Sequence, residues 1–369
     1  MSYTYSFEVL KELFGEDFIK KLGMYLHSYV SGDVKSVKPT RKRVTIYYLL
    51  RASDRLTIRT EGEDDMILTS IADRDVPTII FRKLKAVYLR EFLGLLRSQW
   101  SIHENSIKDV WFKDVDFLFS CSLSVGIAGG RGTIHGRCMK CPADVLMGAV
   151  SAKEKYNLVS RFVGDSAYAV SNVEEKERRT GNAVDEITYT TIMLKGSESK
   201  EARTGALYTM SFIVPGTIFV GKTVLYMPSP PELIYTLWLL TRVMRVGART
   251  SVQGTLESYP VAVIGDLSEI GSSYEVAERI LSSDNDVDIN KAYQHITDYV
   301  KEKMTSSNGV YMILSKDLVK KISAIDVLNE NLVKELWLNA KNYVDAVEKY
   351  ITMAFEKEKK EDKTKGKTG

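Results

Sequence analysis

Cysteine, proline and histidine are scarce in this sequence. Its 369 residues include three cysteines, eight prolines and four histidines. Three cysteines cannot build the disulfide framework of a secreted protein, so we expect a reducing location, the cytoplasm. No run approaches the ~20 consecutive apolar residues of a membrane helix. The first residues also lack the basic and apolar segments of a signal peptide. Membrane channels, collagens, coiled coils and wholly disordered chains are therefore excluded.

The motifs of common enzyme classes are also missing. The sequence has no G-x-S-x-G or H-E-x-x-H segment, and no cysteine lies outside one cluster. Residues 216–223 match the letters of a phosphate-binding loop, G-x-x-x-x-G-K-T. Their four middle residues favour a strand, and the segment that follows leads into prolines, so no helix can begin at Lys222. We therefore reject nucleotide hydrolysis and expect a protein that is not an enzyme.

Basic residues are segregated along a chain whose net charge is only +3. Residues 35–59 contain eight lysines and arginines with the single acid Asp54. Residues 82–97 contain five with the single acid Glu91, and residues 242–249 contain three with none. Such clusters are typical of surfaces that bind a polyanion, because phosphate contacts supply most sequence-independent affinity. They are equally expected on solvated faces that never meet.

Hydrophobic patterns predict the regular elements. Runs of β-branched and aromatic residues indicate strands, and apolar residues at helical spacing indicate helices. The predicted strands are 44–50, 207–214, 217–220 and 261–267. The predicted helices are 79–97, 231–246 and 331–355. Residues 164–206 form a polar excursion, and residues 356–369 contain no apolar side chain, so this tail is predicted to be disordered.

The cysteines lie together in one glycine-rich segment. Cys121 is followed by His135-x-x-Cys138-x-x-Cys141. Ligands three positions apart can face one ion from a tight turn, and three cysteines with one histidine form a common tetrahedral zinc site. The spacing predicts a structural zinc site held by Cys121, His135, Cys138 and Cys141. His103 is the alternative fourth ligand if Cys121 is a buried core residue, the usual role of a free cysteine.

Five segments occur in an order that resembles a known family. They are FRKLKAVYLREFLGLLR, SRFVGDSAYAV, RRTGNAVDEITYTT, RTGALYTMSFIVPGTIF and LLTRVMRVGARTSVQGTLESYPVAVIGD. This order resembles the backbone subunit of CRISPR effector complexes, in the RAMP superfamily, over roughly residues 40–266. Its most specific parts are PGT-x-F at 215–219 and R-x-G-A-R-T-S-x-x-G at 245–254. The cysteine segment before CPADVLMG resembles the type I-D version of that subunit.

The resemblance implies an α+β fold. Its core would be a β-α-β-β-α-β sheet like an RNA recognition motif, also called ferredoxin-like, interrupted by large insertions. The implied parts are a discontinuous core at 1–100 and 206–275, a zinc-binding insertion at 101–150, a β-hairpin thumb at 164–205, a helical region at 276–355 and a disordered charged tail at 356–369.

The resemblance also implies a function. Several copies of such a subunit associate along a single-stranded guide RNA, together with other subunits of the effector complex. They hold the guide for pairing with target DNA, and no membrane is involved. Because the guide sequence varies, such a subunit contacts phosphate and sugar and ignores the base edges.

Positions that match the family's basic regions are candidates for RNA contact, and the zinc segment adds two more. Glycines among them would let backbone amides approach phosphate closely. Exposed basic side chains are also ordinary on any surface. The candidates are Arg41, Lys42, Arg43, Arg55, Arg59, Arg82, Lys83, Lys85, Arg131, Arg137, Arg245, Gly247, Arg249, Ser251 and Gly254.

Two alternative functions stay open on the sequence. Related type III backbone subunits cut target RNA with an aspartate, and Asp54 lies in a comparable region. That resemblance would make the protein a metal-dependent single-strand nuclease, although a carboxylate among arginines is more often an ion-pair partner. The other alternative is a zinc-stapled protein-interaction scaffold whose basic segments are unrelated surface.

Overall fold

Two long antiparallel strands, β1 Arg43–Ala52 and β12 Thr255–Asp266, form the centre of the largest sheet. β1 is an almost continuous apolar and aromatic run, because it is covered on both faces. The computed structural model describes residues 3–58, 67–111, 121, 125–126, 133–134, 136–150, 156–171, 184–190, 207–247, 253–283 and 287–365.

The elements of these residues follow in chain order. The helices are α1 Thr4–Phe14, α2 Glu16–Leu22, α3 Phe81–Trp111, α4 Pro142–Met147, α5 Pro230–Leu239, α6 Ser273–Ser283, α7 Ile289–Thr305, α8 Lys316–Ser323 and α9 Glu330–Lys365. The strands are β1 Arg43–Ala52, β2 Leu68–Ile71, β3 Arg74–Ile79, β4 Val125–Gly126, β5 Thr133–Ile134, β6 Phe162–Gly164, β7 Ala167–Ala169, β8 Val184–Thr190, β9 Leu207–Ile213, β10 Ile218–Tyr226, β11 Met244–Arg245, β12 Thr255–Asp266 and β13 Val310–Ile313. In the described part of the chain, every helix is too short or too polar to cross a membrane.

The strands of the main sheet are ordered β11-β12-β1-β10-β7-β3-β2, with β13 beside β12 and β6 beside β10. All of these pairs are antiparallel. Along the chain, β1, α3, β7, β10, α5 and β12 follow one another in the order β-α-β-β-α-β. The α+β fold class is thereby confirmed, and this order is compatible with the core implied by the resemblance.

Alternate residues of β1 face different helices, as the two-residue period of a strand requires. The hydroxyl of Tyr47 donates to the carbonyl of Ile270 at 2.6 Å, and its ring packs edge-on against Tyr299 of α7. Tyr48 points to the opposite face and lies close to Tyr88 of α3. Helices α6 and α7 therefore cover one face of the sheet, and α3 covers the other.

The C-terminal helix α9 is attached to the same core. The indole of Trp337 donates to the side-chain oxygen of Gln99 in α3 at 3.1 Å, and the Gln99 amide donates to Tyr235 of α5 at 2.8 Å. All three side chains are buried, so their polar atoms need these partners. The helical region at 276–355 thus shares its core with the sheet, and it also contributes β13 to that sheet.

Several boundaries differ from the sequence expectation. Helix α5 begins with the capping box of Ser229 and Glu232 but ends at Leu239, because the chain then turns into β11. Strands β6 and β7 belong to the main sheet, while the separate hairpin in the region of the predicted thumb consists of β8 and β9.

The tail predicted to be disordered is a second difference. Helix α9 continues through Lys365. The expectation was wrong for this stretch, because its glutamates and lysines are good helix formers that extend an existing helix at no nucleation cost.

Candidate metal centre and nucleic-acid interface

Three cysteines and one aspartate converge at one point. The Sγ atoms of Cys121, Cys138 and Cys141 and a carboxylate oxygen of Asp144 all lie within 4.8 Å of one another. Cys121 Sγ and Cys141 Sγ are 3.7 Å apart. Four ligands about 2.3 Å from a zinc ion at tetrahedral angles would have edges of about 3.8 Å. The observed spacing is therefore that of a tetrahedral metal site.

A tight turn and a short helix bring these residues together. Met139 takes a left-handed backbone conformation, with φ of +60°, which bends the chain between Cys138 and Cys141. The N–H of Cys141 donates to Cys138 Sγ at 3.2 Å. Pro142 then begins α4, and Asp144 in its first turn accepts from the N–H of Met139 at 2.8 Å. The cysteine turn and the helix start thus hold each other in place.

The thiols and the carboxylate of the cluster shift one another's pKa values. Hydrogen bonds from Cys138 and Cys141 hold the pKa of the Cys121 thiol well below its usual range. Burial raises the pKa of Cys138 and of Cys141, and burial raises the pKa of Asp144 to about 6. Arg137 forms an ion pair with Asp144 and supplies one positive charge. Metal binding requires the thiols as thiolates; with Asp144 ionised and Arg137 paired to it, the cluster then carries three net negative charges, which a dication reduces to one. Three sulfurs with one carboxylate oxygen fit the ligand preference of zinc.

Asp144 was missed by the sequence analysis. The signal was present, because the three-residue spacing of His135, Cys138 and Cys141 continues to Asp144. His135 lies outside the described residues, so its place as a ligand stays a prediction. His103 is not at the cluster: its Nε2 atom hydrogen-bonds the carbonyl of Leu328 at 2.5 Å, and it sits at a kink in α3.

The first basic segment is divided by β1 into two groups. Arg41, Lys42 and Arg43 lie at the start of this strand, and Arg55 lies beyond its end. Ten residues of extended chain separate these groups by roughly 30 Å. The Nζ of Lys42 donates to the carbonyl of Leu26 at 2.8 Å, and the guanidinium of Arg43 stacks on Tyr226. The basic residues that are clustered at 35–59 in the sequence therefore do not form one patch in space.

The second group lies beside the third basic segment. The carbonyl of Arg55 accepts from the N–H of Gly254 at 2.9 Å, and Arg245 on β11 pairs with Thr255 on β12. Arg55 and Arg245 are both exposed. We call the area formed by Arg55, Arg245, Gly247 and Gly254 the loop-base surface.

The backbone conformation at positions 247 and 254 of the loop-base surface requires glycine. Each has φ of +97°, a conformation that side chains rarely adopt. A Cβ atom on Gly247 would lie 2.2 Å from the carbonyl oxygen of Thr57. A Cβ atom on Gly254 would lie 2.4 Å from that of Val246. The two ends of the loop are therefore closely packed against the strand ends.

Helix α3 adds a further cation to this area. A depression of about 470 Å³ lies between α3 and β11, with Arg90, Glu91, Arg245 and Thr255 in its wall. Arg90 is not among the sequence-predicted candidates, although it belongs to the basic cluster at 82–97. The sequence alone could not single out Arg90 from the other basic residues of α3, because its position matters only when β11 packs beside that part of the helix.

The other predicted RNA-contact residues on α3 and in the cysteine segment do not belong to the loop-base surface. Arg82 is exposed at the start of α3 and Lys83 is half-buried. The Nζ of Lys85 donates to Ser160 Oγ at 2.7 Å, and burial lowers the pKa of Lys85. The side chain of Arg137 is only 12% exposed because of its ion pair with Asp144. The candidates that lie outside the described residues are Arg59, Arg131, Arg249 and Ser251.

Lys222 of the rejected phosphate-loop pattern is buried. It lies in the middle of β10, whose nine residues are all in extended conformation. Its Nζ atom donates to Glu269 at 2.6 Å and to the carbonyl of Gly271 at 2.7 Å, and Asp165 lies 3.2 Å away. The prediction that this segment is a strand is confirmed, and its lysine is neutralised inside the protein.

The fold and the site define an α+β protein with an antiparallel sheet, a candidate metal centre and a basic surface bounded by glycines. A family model described as "Csc2 Crispr" matches residues 26–367. This chain therefore belongs to the Csc2 CRISPR family. No curated protein matches the sequence.

One solved structure agrees with this placement at the level of the fold. The crystal structure of Thermofilum pendens Csc2 is similar with a TM-score of 0.62 and 22% identity, over 92% of this chain and 98% of that chain. A chain of a "CRISPR RNA-guided surveillance complex, pre-nicking" has a TM-score of 0.46 and 11% identity, over 74% of this chain and 93% of that chain. A chain of a "CRISPR RNA-guided surveillance complex" has a TM-score of 0.44 and 11% identity, over 74% and 90%.

Proposed function

We propose that this protein is a non-catalytic backbone subunit of a type I-D CRISPR surveillance complex. In this proposal several copies bind the guide RNA, together with the other subunits, and present it for pairing with target DNA. The complex would act in the cytoplasm. The observation that carries the proposal is that Arg55 and Arg245 both border the start of β12, which brings parts of two of the three basic segments of the sequence to one end of the sheet.

The chemistry of this surface suits a sugar-phosphate backbone. Its cations come from three separate parts of the chain, namely the end of β1, the middle of α3 and β11. Arg55, Arg90 and Arg245 are exposed side chains on different elements, which suits contact with successive phosphate groups. Binding through phosphate is indifferent to sequence, as a guide of variable sequence requires.

The metal centre supports the fold in this proposal. Three of its four ligand residues are buried and the fourth, Cys138, is half-buried. We propose that the ion is zinc and that its role is structural, because closed sulfur-rich sites of this kind stabilise folds. It would tie the cysteine segment to α3, since Arg97 of α3 donates to the carbonyl of Cys121 at 2.6 Å.

The geometry around Asp54 disfavours the nuclease alternative. One oxygen of its carboxylate accepts from the N–H groups of Gly254 and Thr255, and the other accepts from the hydroxyl of Thr255 at 3.0 Å. These bonds hold the chain in place and use the lone pairs that a catalytic metal would need.

Fluorescence anisotropy of labelled single-stranded RNA tests the proposal. Two unrelated sequences should bind equally, and the affinity should fall with a log–log salt slope of ~0.7 per phosphate contacted. The double variant Arg55→Gln, Arg245→Gln should bind more weakly and show a smaller slope. Arg279→Gln, which removes an exposed arginine of α6 paired with Glu302, is the matched control and should bind normally. Absence of RNA binding at low salt by folded protein would refute the proposal.

A further inference from the structure

The sheet face opposite α3 is closed by α6 and α7 except at one end. Tyr47, in the middle of β1, lies under α7 and bonds to the segment before α6. Further along β1, Leu49 and Arg51 point to the same face, because alternate residues of a strand share a face. Near these two side chains α7 has reached its first turn, so the sheet is no longer covered. An opening therefore remains near the end of β1.

This opening is a pocket of about 710 Å³. Its walls are apolar and aromatic side chains from the sheet, from α7 and from α8. They are Leu49, Tyr259, Pro260, Ile289, Tyr293, Leu314 and Val319. Tyr259 and Tyr293 are half-buried, so each keeps part of its ring accessible. The volume exceeds that of one nucleobase, and two tyrosines beside aliphatic walls provide flat surfaces for stacking.

The polar groups of the pocket are cations and amides. Arg51, Lys316 and Lys320 line it together with the side-chain amides of Asn290 and Gln294, and no carboxylate is among its described lining residues. Arg51 is paired with Glu257 at 2.5 Å, and the Nζ of Lys316 lies 3.1 Å from the Asn290 side-chain oxygen. Lys316 and Lys320 are exposed. Asp317 lies 4.0 Å from Lys320, but both of these side chains are exposed, and such pairs are weak enough for an anion to replace. A ligand that fits has a flat apolar part, groups that pair with amides, and negative charge at one side.

We propose that this pocket binds a nucleotide of a single-stranded nucleic acid, with the base against Tyr259 and Tyr293 and its phosphate at Lys316 and Lys320. The proposal rests on the proposed function and adds to it a site for one base beside the backbone-binding surface. Arg51 in the pocket lies at the end of β1, and Arg55 of the loop-base surface lies three residues beyond the last residue of that strand.

A protein segment is the competing occupant of any apolar groove. Peptide-binding grooves are usually lined by side chains that accept an amphipathic helix or by an open strand edge. An added strand is disfavoured here, because the stretch of β12 between its pairings with β11 and β13 contains Pro260, which has no N–H to offer. Its cationic rim with paired tyrosines is the combination that single-strand binding sites use.

Photocrosslinking to single-stranded RNA that carries 5-iodouridine tests the proposal, because this base crosslinks to aromatic side chains that it stacks on. We expect crosslinked peptides that contain Tyr259 or Tyr293. In anisotropy titrations Lys320→Gln should weaken binding of the same RNA by roughly three- to tenfold. Lys321→Gln is the matched control, because the next residue of α8 faces a different groove, beside α1, and carries the same charge. Tyr293→Phe should bind normally, since it keeps the ring.

The outcomes separate this proposal from the proposed function. RNA binding that is equal in Lys320→Gln and Lys321→Gln, with crosslinks only outside the pocket, would overturn the nucleotide site and leave the backbone role standing. If Lys320→Gln instead weakens self-association in sedimentation velocity and leaves RNA affinity unchanged, the occupant is a protein segment and the proposal is wrong. Folded protein that binds no RNA would overturn both.

Discussion

The carboxylate of Asp54 accepts a hydrogen bond from the backbone N–H of Gly254 at 2.8 Å, across 200 residues of sequence. The N–H of Thr255 donates to the same oxygen at 2.6 Å. Strand β1 ends just before Asp54 and β12 begins at Thr255, so one side chain joins the two strand ends that carry the loop-base surface. Asp54 therefore positions this surface and does not need to touch RNA to affect RNA binding.

Substitution of Asp54 separates a positioning role from a catalytic one. Asp54→Ala removes the acceptor shared by the N–H groups of Gly254 and Thr255, of which that of Gly254 keeps the carbonyl of Arg55. It should destabilise the protein by ~1–3 kcal/mol and weaken RNA binding. Asp54→Asn keeps one oxygen for both N–H groups and should retain most of the stability and RNA affinity. Urea unfolding and anisotropy measure these quantities. RNA cleavage with added divalent metal in the wild type, lost in Asp54→Asn, would instead establish the nuclease alternative.

The two glycines of the loop-base surface should be intolerant of any side chain. Gly254→Ala adds a left-handed backbone penalty and a Cβ atom 2.4 Å from the Val246 carbonyl oxygen. We expect a loss of ~2–4 kcal/mol in unfolding free energy, at the upper end of common single substitutions. Gly94→Ala is the control: nothing lies within 4 Å of its Cβ position, and it sits inside α3. It should stabilise the protein by ~0.5–1 kcal/mol.

Removal of the metal should loosen the cysteine segment. We expect purified protein to contain one zinc per chain by elemental analysis and to lose it, with a lower melting temperature, on treatment with a strong chelator. Cys138→Ser and Cys141→Ser should each abolish metal retention. A protein that keeps its melting temperature in chelator would show that the cluster is an ordinary buried core.

The fourth ligand can be identified by a pair of substitutions. Asp144→Asn changes a carboxylate that lies at the cluster, and His135→Ala changes the residue that the spacing predicts. The variant that lacks stoichiometric zinc identifies the ligand. The other should lower metal affinity by about 10–100-fold, the usual effect of a residue that orients a ligand. His295→Gln on α7 should retain the metal in full.

A buried ion pair between Arg161 and Glu232 should be a major determinant of stability. Both side chains are at least 90% buried, and the guanidinium is stacked on Tyr29 and Tyr343 at 4.9 and 4.8 Å. Glu232→Gln leaves a buried cation without its counter-charge and should cost ~3–5 kcal/mol. Lys11→Gln, which breaks the exposed pair of Lys11 with Glu16, should cost less than ~1 kcal/mol. Comparable losses in the two variants would contradict this assignment.

Local sequence patterns predicted several strands and helices, although not all of their boundaries. The alternation and β-branching of residues 44–50 predicted β1, and the extended preference of residues 217–220 correctly outweighed the phosphate-loop letters around Lys222. The spacing of Cys138 and Cys141 predicted a turn that faces one point, which the structure confirms. Strand propensity and ligand spacing depend on residues only a few positions apart, so both can be recognised from the sequence alone.

The sequence by itself thus determined the α+β class, the cysteine cluster and the abundance of basic charge. Only the tertiary structure decided how the charges are arranged: it separates Arg43 from Arg55 by the length of β1 and places Arg55 and Arg245 beside the start of β12. In the tertiary structure Lys222 is also buried and paired with Glu269, and Asp144 lies among the cysteines. The physical reason is that strand pairing and helix packing set distances between residues far apart in the chain, and these distances depend on the whole core.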